Sequence, residues 1–133
     1  MRAPRFLLVD DDPAVIRGLF RLLKTLRPSA QINRAENAER AIRLLDELKY
    51  DVVITDLQMP GASGLRVLEE LEARHPETVR IVHSSQPESA ESQRVRKLAD
   101  AIIPKPLGAA SLIEALERGA LAVGLRAARS SMR

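Results

Sequence analysis

The chain has 133 residues, 45% of them hydrophobic and 29% charged, which is enough for one domain with one core and too apolar for a disordered chain. With no cysteine, a disulfide framework, a thiolate metal site and a cysteine nucleophile are excluded, consistent with a reducing cytoplasm. The net charge of +3 is uneven: Arg118, Arg126, Arg129 and Arg133 close the sequence with no acid among them, and read as the solvated end of a last helix. No apolar run reaches the roughly 18–20 residues that span a membrane, and the apolar start runs straight into Asp10, Asp11 and Asp12, unlike a secretory signal.

Along the chain, short β-like runs alternate five times with helical patterns. Phe6–Val9 is a continuous apolar run, as in a strand buried on both faces. Asp12 reads as an N-cap with Pro13 at the first helical position, and Val15, Ile16, Leu19, Phe20, Leu22, Leu23 and Leu26 form the apolar stripe that follows. Ala30–Arg34 predicts a polar edge strand, and Asn37–Lys49 a helix with Ala38, Ala41, Leu44, Leu45 and Leu48 on one face. Asp51–Thr55 is the clearest central strand. Gly61 to Gly64 predicts a loop, with Leu65, Leu68 and Leu71 in a third helix that ends near His75-Pro76. Val79–His83 predicts a fourth strand, Glu88–Leu98 a weakly amphipathic helix, Ala101–Ile103 a fifth strand, and the region from about Ala109 a last helix carrying Leu112, Ile113, Leu116, Ala120 and Val123. One domain is expected over residues 1–124, with 125–133 as the basic end of the last helix or a tail.

This alternation predicts a parallel sheet covered by helices on both faces, with its ligand site beyond the carboxyl ends of the strands. Those ends carry Asp10, Asp11 and Asp12 after the first strand, Asp56 after the third, Ser84 after the fourth and Lys105 after the fifth. Crowded carboxylates repel unless a cation compensates them, and hard oxygen ligands favour Mg²⁺, or Mn²⁺. A carboxylate beside a metal and a lysine suits phosphoryl transfer, with the carboxylate as nucleophile.

Leu7-Leu8-Val9-Asp10-Asp11-Asp12, Asp56-Leu57-Gln58-Met59-Pro60 with Gly64, Ile81-Val82-His83-Ser84, and Lys105-Pro106 together resemble the four signatures of bacterial two-component response-regulator receivers, over roughly Arg5 to Val123. The resemblance implies a doubly wound α/β fold of the flavodoxin-like type, with strand order 2-1-3-4-5 and five helices. It implies that Asp56 is the phospho-acceptor. Asp10, Asp11, Asp56 and the backbone carbonyl of Gln58 would be metal ligands, Ser84 the switch hydroxyl, and Lys105 the phosphate-pairing lysine, with a cis peptide to Pro106. Asp12 reads better as a helix cap. The implied function is a phosphorylation-dependent switch in a phosphorelay, not a turnover enzyme. The implied partners are a histidine kinase or histidine phosphotransfer protein, an output protein or further domain, and a second copy through helix four, strand five and helix five.

Three positions depart from the pattern. Ile102 stands where the family usually has an aromatic ring, His83 replaces an aliphatic residue, and Ser85 replaces Ala or Gly. His83 reads as a packed side chain; Gln58 and Ser85 border the attack path and would tune dephosphorylation. Val95 and Leu98, beside Ile102, read as a partner surface. The alternatives weighed are a pseudo-receiver that binds partners without phosphorylation, and a phosphatase of the haloacid-dehalogenase type, disfavoured by Gln58 where a second Asp would act as acid. Direct nucleic-acid binding is not expected, because no residues after the fifth helix build a helix-turn-helix.

Overall fold

A computed structural model of the chain describes residues 3–59, 61, 63–86 and 93–131. Pro60, the first half of the helix expected from Glu88, and Arg133 lie outside the described residues. The order is β1 (Arg5–Val9), α1 (Pro13–Leu26), β2 (Gln31–Ala35), α2 (Ala38–Glu47), β3 (Val52–Thr55), α3 (Gly64–Arg74), β4 (Val79–Ser84), α4 (Gln93–Leu98), β5 (Ala101–Pro104) and α5 (Ala109–Ser131). All pairings are parallel, in the order β2-β1-β3-β4-β5, which makes β2 an edge strand as its short, polar sequence predicts. No helix among the described residues is long and apolar enough to cross a membrane.

Alternation along each strand explains the continuous apolar runs. Phe6 and Leu8 of β1 point to one face, where Ile16, Leu19 and Leu23 of α1 and Leu112 and Ala115 of α5 cover them. Leu7 and Val9 point to the other, under Ala38, Ala41 and Leu45 of α2 and Val67 and Leu71 of α3. Each of these side chains is removed from water on folding, a contribution of roughly 1.5–3 kcal/mol for a Leu or Ile. The helix starts follow their caps. Asp12 accepts the N–H of Ala14 at 2.9 Å, and Asn37 accepts that of Arg40 at 2.8 Å.

Three expectations are corrected by packing. Phe20 and Leu48, placed by periodicity on buried faces, are 39% and 37% exposed. Phe20 lines an open cleft beside Ile32 and Arg34 of the edge strand β2, and Leu48 is the C-cap of α2, at the end of the helix. Val95 and Leu98 are no partner surface: both are buried against Leu57, Leu68 and Val82, with Ile102 packed at the margin. The few apolar residues of α4 are needed to seal the sheet.

At the amino end of β4, opposite the strand ends that carry the acids, lies a charged network. Arg80 is fully buried and donates to Glu72 at 2.7 Å and to the carbonyl of His75 at 3.1 Å. Arg126, from the part of α5 expected as a basic end, pairs with Asp100 at 2.6 Å and donates to the carbonyls of Pro76 and Thr78. Asp100 in turn accepts the backbone N–H of Arg80 at 3.0 Å. Gly119 lets α5 cross β4 closely, since a Cβ there would fall on the side chain of Val79. α5 is therefore pinned to the sheet well past its middle.

Candidate functional site

Each residue of the site is set by the strand that delivers it. Asp10 follows β1, and its N–H donates to the carbonyl of Ala35 at the end of β2, 3.1 Å away. Its carboxylate is 2% exposed; one oxygen accepts the N–H of Asp12 at 2.9 Å and the other accepts Lys105 Nζ at 2.8 Å. Asp56 follows β3 and is held the same way, its N–H on the carbonyl of Val9 at 2.9 Å. Oδ1 of Asp56 accepts the N–H of Leu57 at 2.8 Å and of Gln58 at 3.3 Å, while Oδ2 lies 3.4 Å from Lys105 Nζ. Asp11 is exposed at the mouth. Carboxylate oxygens of Asp10, Asp11 and Asp56 all lie within 4.8 Å of one another.

Burial pushes the Asp56 carboxyl above its ordinary range; the Lys105 ammonium opposes this, and the neighbouring charge of Asp10 adds to it. Burial alone would lower Lys105, but the hydrogen bond and charge of Asp10, with Asp56 behind, raise it instead. Three carboxylates face one ammonium, so the cluster is short of positive charge. Its donors are hard oxygens from three carboxylates gathered within 4.8 Å, a set that fits a small divalent cation such as Mg²⁺ or Mn²⁺.

Asp10, Asp11, Asp56 and Lys105 are thus brought together. Ser84 is fully buried at the end of β4, and its hydroxyl is turned to the loop that follows: Oγ accepts the N–H of Gln86 at 3.1 Å. The side chain of Gln58 is exposed, and its N–H contacts Asp56. The Lys105-Pro106 peptide is cis, and the N–H of Lys105 donates to the carbonyl of Ser84 at 2.8 Å, tying the ends of β4 and β5. One contribution went unread in the sequence. Arg34, Ala35 and Glu36, at and just after the end of β2, line the cleft of about 270 Å³ that reaches Asp10 and Asp11. The same strand-end rule that gave the other residues would have supplied them.

His83 lies one residue before Ser84 and is 3% exposed, with no hydrogen bond to either ring nitrogen among the described residues. Burial, with the Lys105 cation beside it, pushes its pKa from 6.5 down to about 4; Asp10 pulls weakly the other way. Unfolding restores the ordinary value, so between about 6.5 and 4 the unfolded chain takes up the extra proton and stability falls with pH. Urea midpoints at pH 7 and 4.5 should show that His83→Phe loses less stability on acidification than the parent, by about 2–3 kcal/mol. Equal losses would contradict a neutral, buried imidazole.

The sequence profile of the response regulator receiver domain matches residues 6–117. The transcriptional regulatory protein YdfI of Bacillus subtilis is 37% identical over 78 residues, which cover 59% of this chain and 37% of that protein. The chemotaxis protein CheY of Listeria monocytogenes is 30% identical over 115 residues, covering 86% of this chain and 97% of that one. Against several other curated regulators the chain spans about a third to a half of their length. Among solved structures, the response regulator TrrA of Thermotoga maritima, in complex with Mg²⁺-BeF, superposes with a TM-score of 0.73 at 30% identity, covering 86% of this chain and 97% of that chain. By its sequence profile, its strand order and its relatives, the chain belongs to the response regulator receiver family of two-component systems, on a CheY-like, flavodoxin-type fold.

Proposed function

We propose that this receiver is switched by phosphorylation of Asp56, with the phosphoryl group taken from a phosphohistidine on a histidine kinase or phosphotransfer protein. The observation that carries the reading is the placement of Asp56: buried, 3.4 Å from the Lys105 ammonium, and clustered with the oxygens of Asp10 and Asp11. A carboxylate oxygen of Asp56 attacks phosphorus in line; the P–O bond forms as the P–N bond to imidazole breaks, and the imidazole leaves. Asp10, Asp11 and Asp56, with the Gln58 carbonyl, would hold Mg²⁺, which when bound neutralises the phosphoryl oxygens and lowers the raised pKa of Asp56. That TrrA was solved with Mg²⁺-BeF supports this assignment by likeness.

Lys105 then exchanges a carboxylate partner for a phosphoryl oxygen. Ser84 exchanges the N–H of Gln86 for another, and the turn after β4 follows its hydroxyl. With Ile102, in place of an aromatic ring, packed against the cluster of Leu57, Leu68, Val82, Val95 and Leu98, readout runs through that turn and α4, toward an output protein, a further domain or a second copy. Gln58 and Ser85 would set the rate at which water removes the phosphoryl group, and their exposure supports this.

Intact mass after incubation with a small acyl or amidophosphate donor tests the reading. One phosphoryl group should be gained with Mg²⁺, and none with chelator or in Asp56→Asn. Uptake that persists in the mutant contradicts it, and no uptake by folded parent protein favours the pseudo-receiver.

A further inference from the structure

The outer edge of the sheet carries main-chain groups with no strand to pair them. The N–H of Gln31 donates to the carbonyl of Pro4 at 2.8 Å, and the carbonyl of Ala35 accepts the N–H of Asp10 at 3.1 Å. Gln31, Asn33 and Ala35 therefore face β1, and Ile32 and Arg34 turn their N–H and C=O groups the other way. No strand among the described residues pairs with β2 on that side. The side chains of the same two residues line a cleft of about 360 Å³ between β2 and α1. Across it α1 presents Arg17, Phe20 and Arg21, neighbours on one face of the helix, beside the buried Ile16.

Two features set this cleft apart from an ordinary solvated edge. Arg74, Arg80, Arg94, Arg118 and Arg126 each pair with a carboxylate. Arg17, Arg21 and Arg34 meet none among the described residues. Cations alone suffice to blunt an edge against self-pairing, but an open apolar seat does not serve that end, and here Phe20 is 39% exposed with Ile32 half-buried beside it. Arginine and aromatic side chains around a desolvated seat are what protein interfaces favour.

We propose that this edge and cleft bind an extended acidic segment of a partner protein, added to the sheet as a sixth strand beside β2. Alternate side chains of such a strand lie over the α1 face, so an apolar one rests on Phe20 and Ile32 while carboxylates on either side of it meet the three arginines. A second copy of this chain would bring like arginines together across the new pairing. A nucleic acid would use the cations but turn its phosphates toward the outward carbonyls of Ile32 and Arg34. Arg34 also walls the neighbouring cleft that reaches Asp10 and Asp11, and so stands between the incoming carboxylates and that acidic cluster. The surface is separate from phosphoryl transfer and does not rest on it.

The probe is a capped peptide, Ser-Asp-Thr-Leu-Thr-Asp-Ser, titrated against the protein by NMR of backbone amides. It should shift Phe20, Ile32 and Arg34 at millimolar concentrations or below, equally in the parent and in Asp56→Asn. Replacing both Asp of the peptide by Asn should weaken binding about tenfold, the worth of two exposed ion pairs, and high salt should narrow that gap. The double variant Arg17→Glu, Arg21→Glu, changed only at exposed helical positions, should lose the acidic peptide and gain its Lys-substituted counterpart. Peptides N-methylated at the odd or at the even residues should differ sharply, since only one set faces β2. No shifts at these amides, or no exchange of preference in the double variant, would overturn the proposal. Equal effects of the two methylated sets would overturn the strand pairing, and tighter binding of a single-stranded oligothymidylate would assign the cations to nucleic acid instead.

Discussion

Gly64→Ala should destabilise the domain by about 2–4 kcal/mol and remove most of its capacity to take up a phosphoryl group, although alanine is the better helix former. Gly64 opens α3, with its N–H on the carbonyl of Leu57 at 3.1 Å. A Cβ there would fall on the carbonyl oxygen of Asp56 and lie 2.9 Å from the carbonyl carbon of Asp56 and from Leu57 Cα. All three are backbone atoms, so no side-chain rotation relieves the clash. Either α3 lifts from the sheet, exposing Val67, Leu68 and Leu71, or the segment bearing Asp56 moves away from Asp10 and Lys105. Urea unfolding with parallel measurement of phosphoryl uptake checks both effects. A variant with an unchanged midpoint and normal uptake would show that this close approach constrains neither packing nor site.

Lys105→Met should act on both stability and chemistry, in ways that separate by pH and by metal. Asp56 is already above the ordinary carboxylate range through burial, and Lys105 is the cation that restrains it. Without the ammonium, buried Asp10 keeps the N–H of Asp12 but faces Asp56 uncompensated. Breaking a buried pair in this way should lower stability at pH 7 by about 3 kcal/mol. A carboxylate raised in the folded state is penalised above its folded pKa and not once protonated, so the loss should shrink as pH falls toward 4. Mg²⁺ should also reduce it, by supplying the missing charge. Phosphoryl uptake should drop about 10²–10³-fold, because a preorganised charge aimed at the phosphoryl oxygens is gone. Thermal melts at pH 7 and 4.5, with and without Mg²⁺, decide the point. A loss that is the same in all four conditions would mean that Lys105 contributes packing alone.

The fold was legible because a parallel sheet writes itself in blocks: Phe6–Val9 and Val52–Ile54 are apolar throughout because both of their faces are covered. The charged cluster was legible for a related reason. Parallel strands end on one side, so Asp10, Asp56 and Lys105, distant in sequence, meet without any pairing signal of their own. What stayed hidden depends on partners that periodicity does not encode. Arg80 interrupts an apolar strand, and no pattern in the sequence names its partners; it is buried because Glu72 and the carbonyls of His75 and Thr78 receive its guanidinium. Arg126 reads as part of a basic end and is instead clamped to Asp100. Val95 and Leu98 read as a partner surface and are core instead, packed with Leu57, Leu68 and Val82 over the sheet. Ser84 reads as part of the cluster from its strand end and from the family pattern, whereas the direction of its hydroxyl follows the turn after β4, where Gln86 donates to it.

The most direct test of the central claim is the position of the phosphoryl group. The protein is phosphorylated with a small donor and Mg²⁺, reduced with borohydride, which converts an aspartyl phosphate to homoserine, and sequenced by tandem mass spectrometry. The site assignment predicts homoserine at position 56 and unmodified aspartate at positions 10, 11 and 12. Homoserine at Asp10 or Asp11, or a phosphate retained on Ser84 or His83 with Asp56 intact, would contradict it.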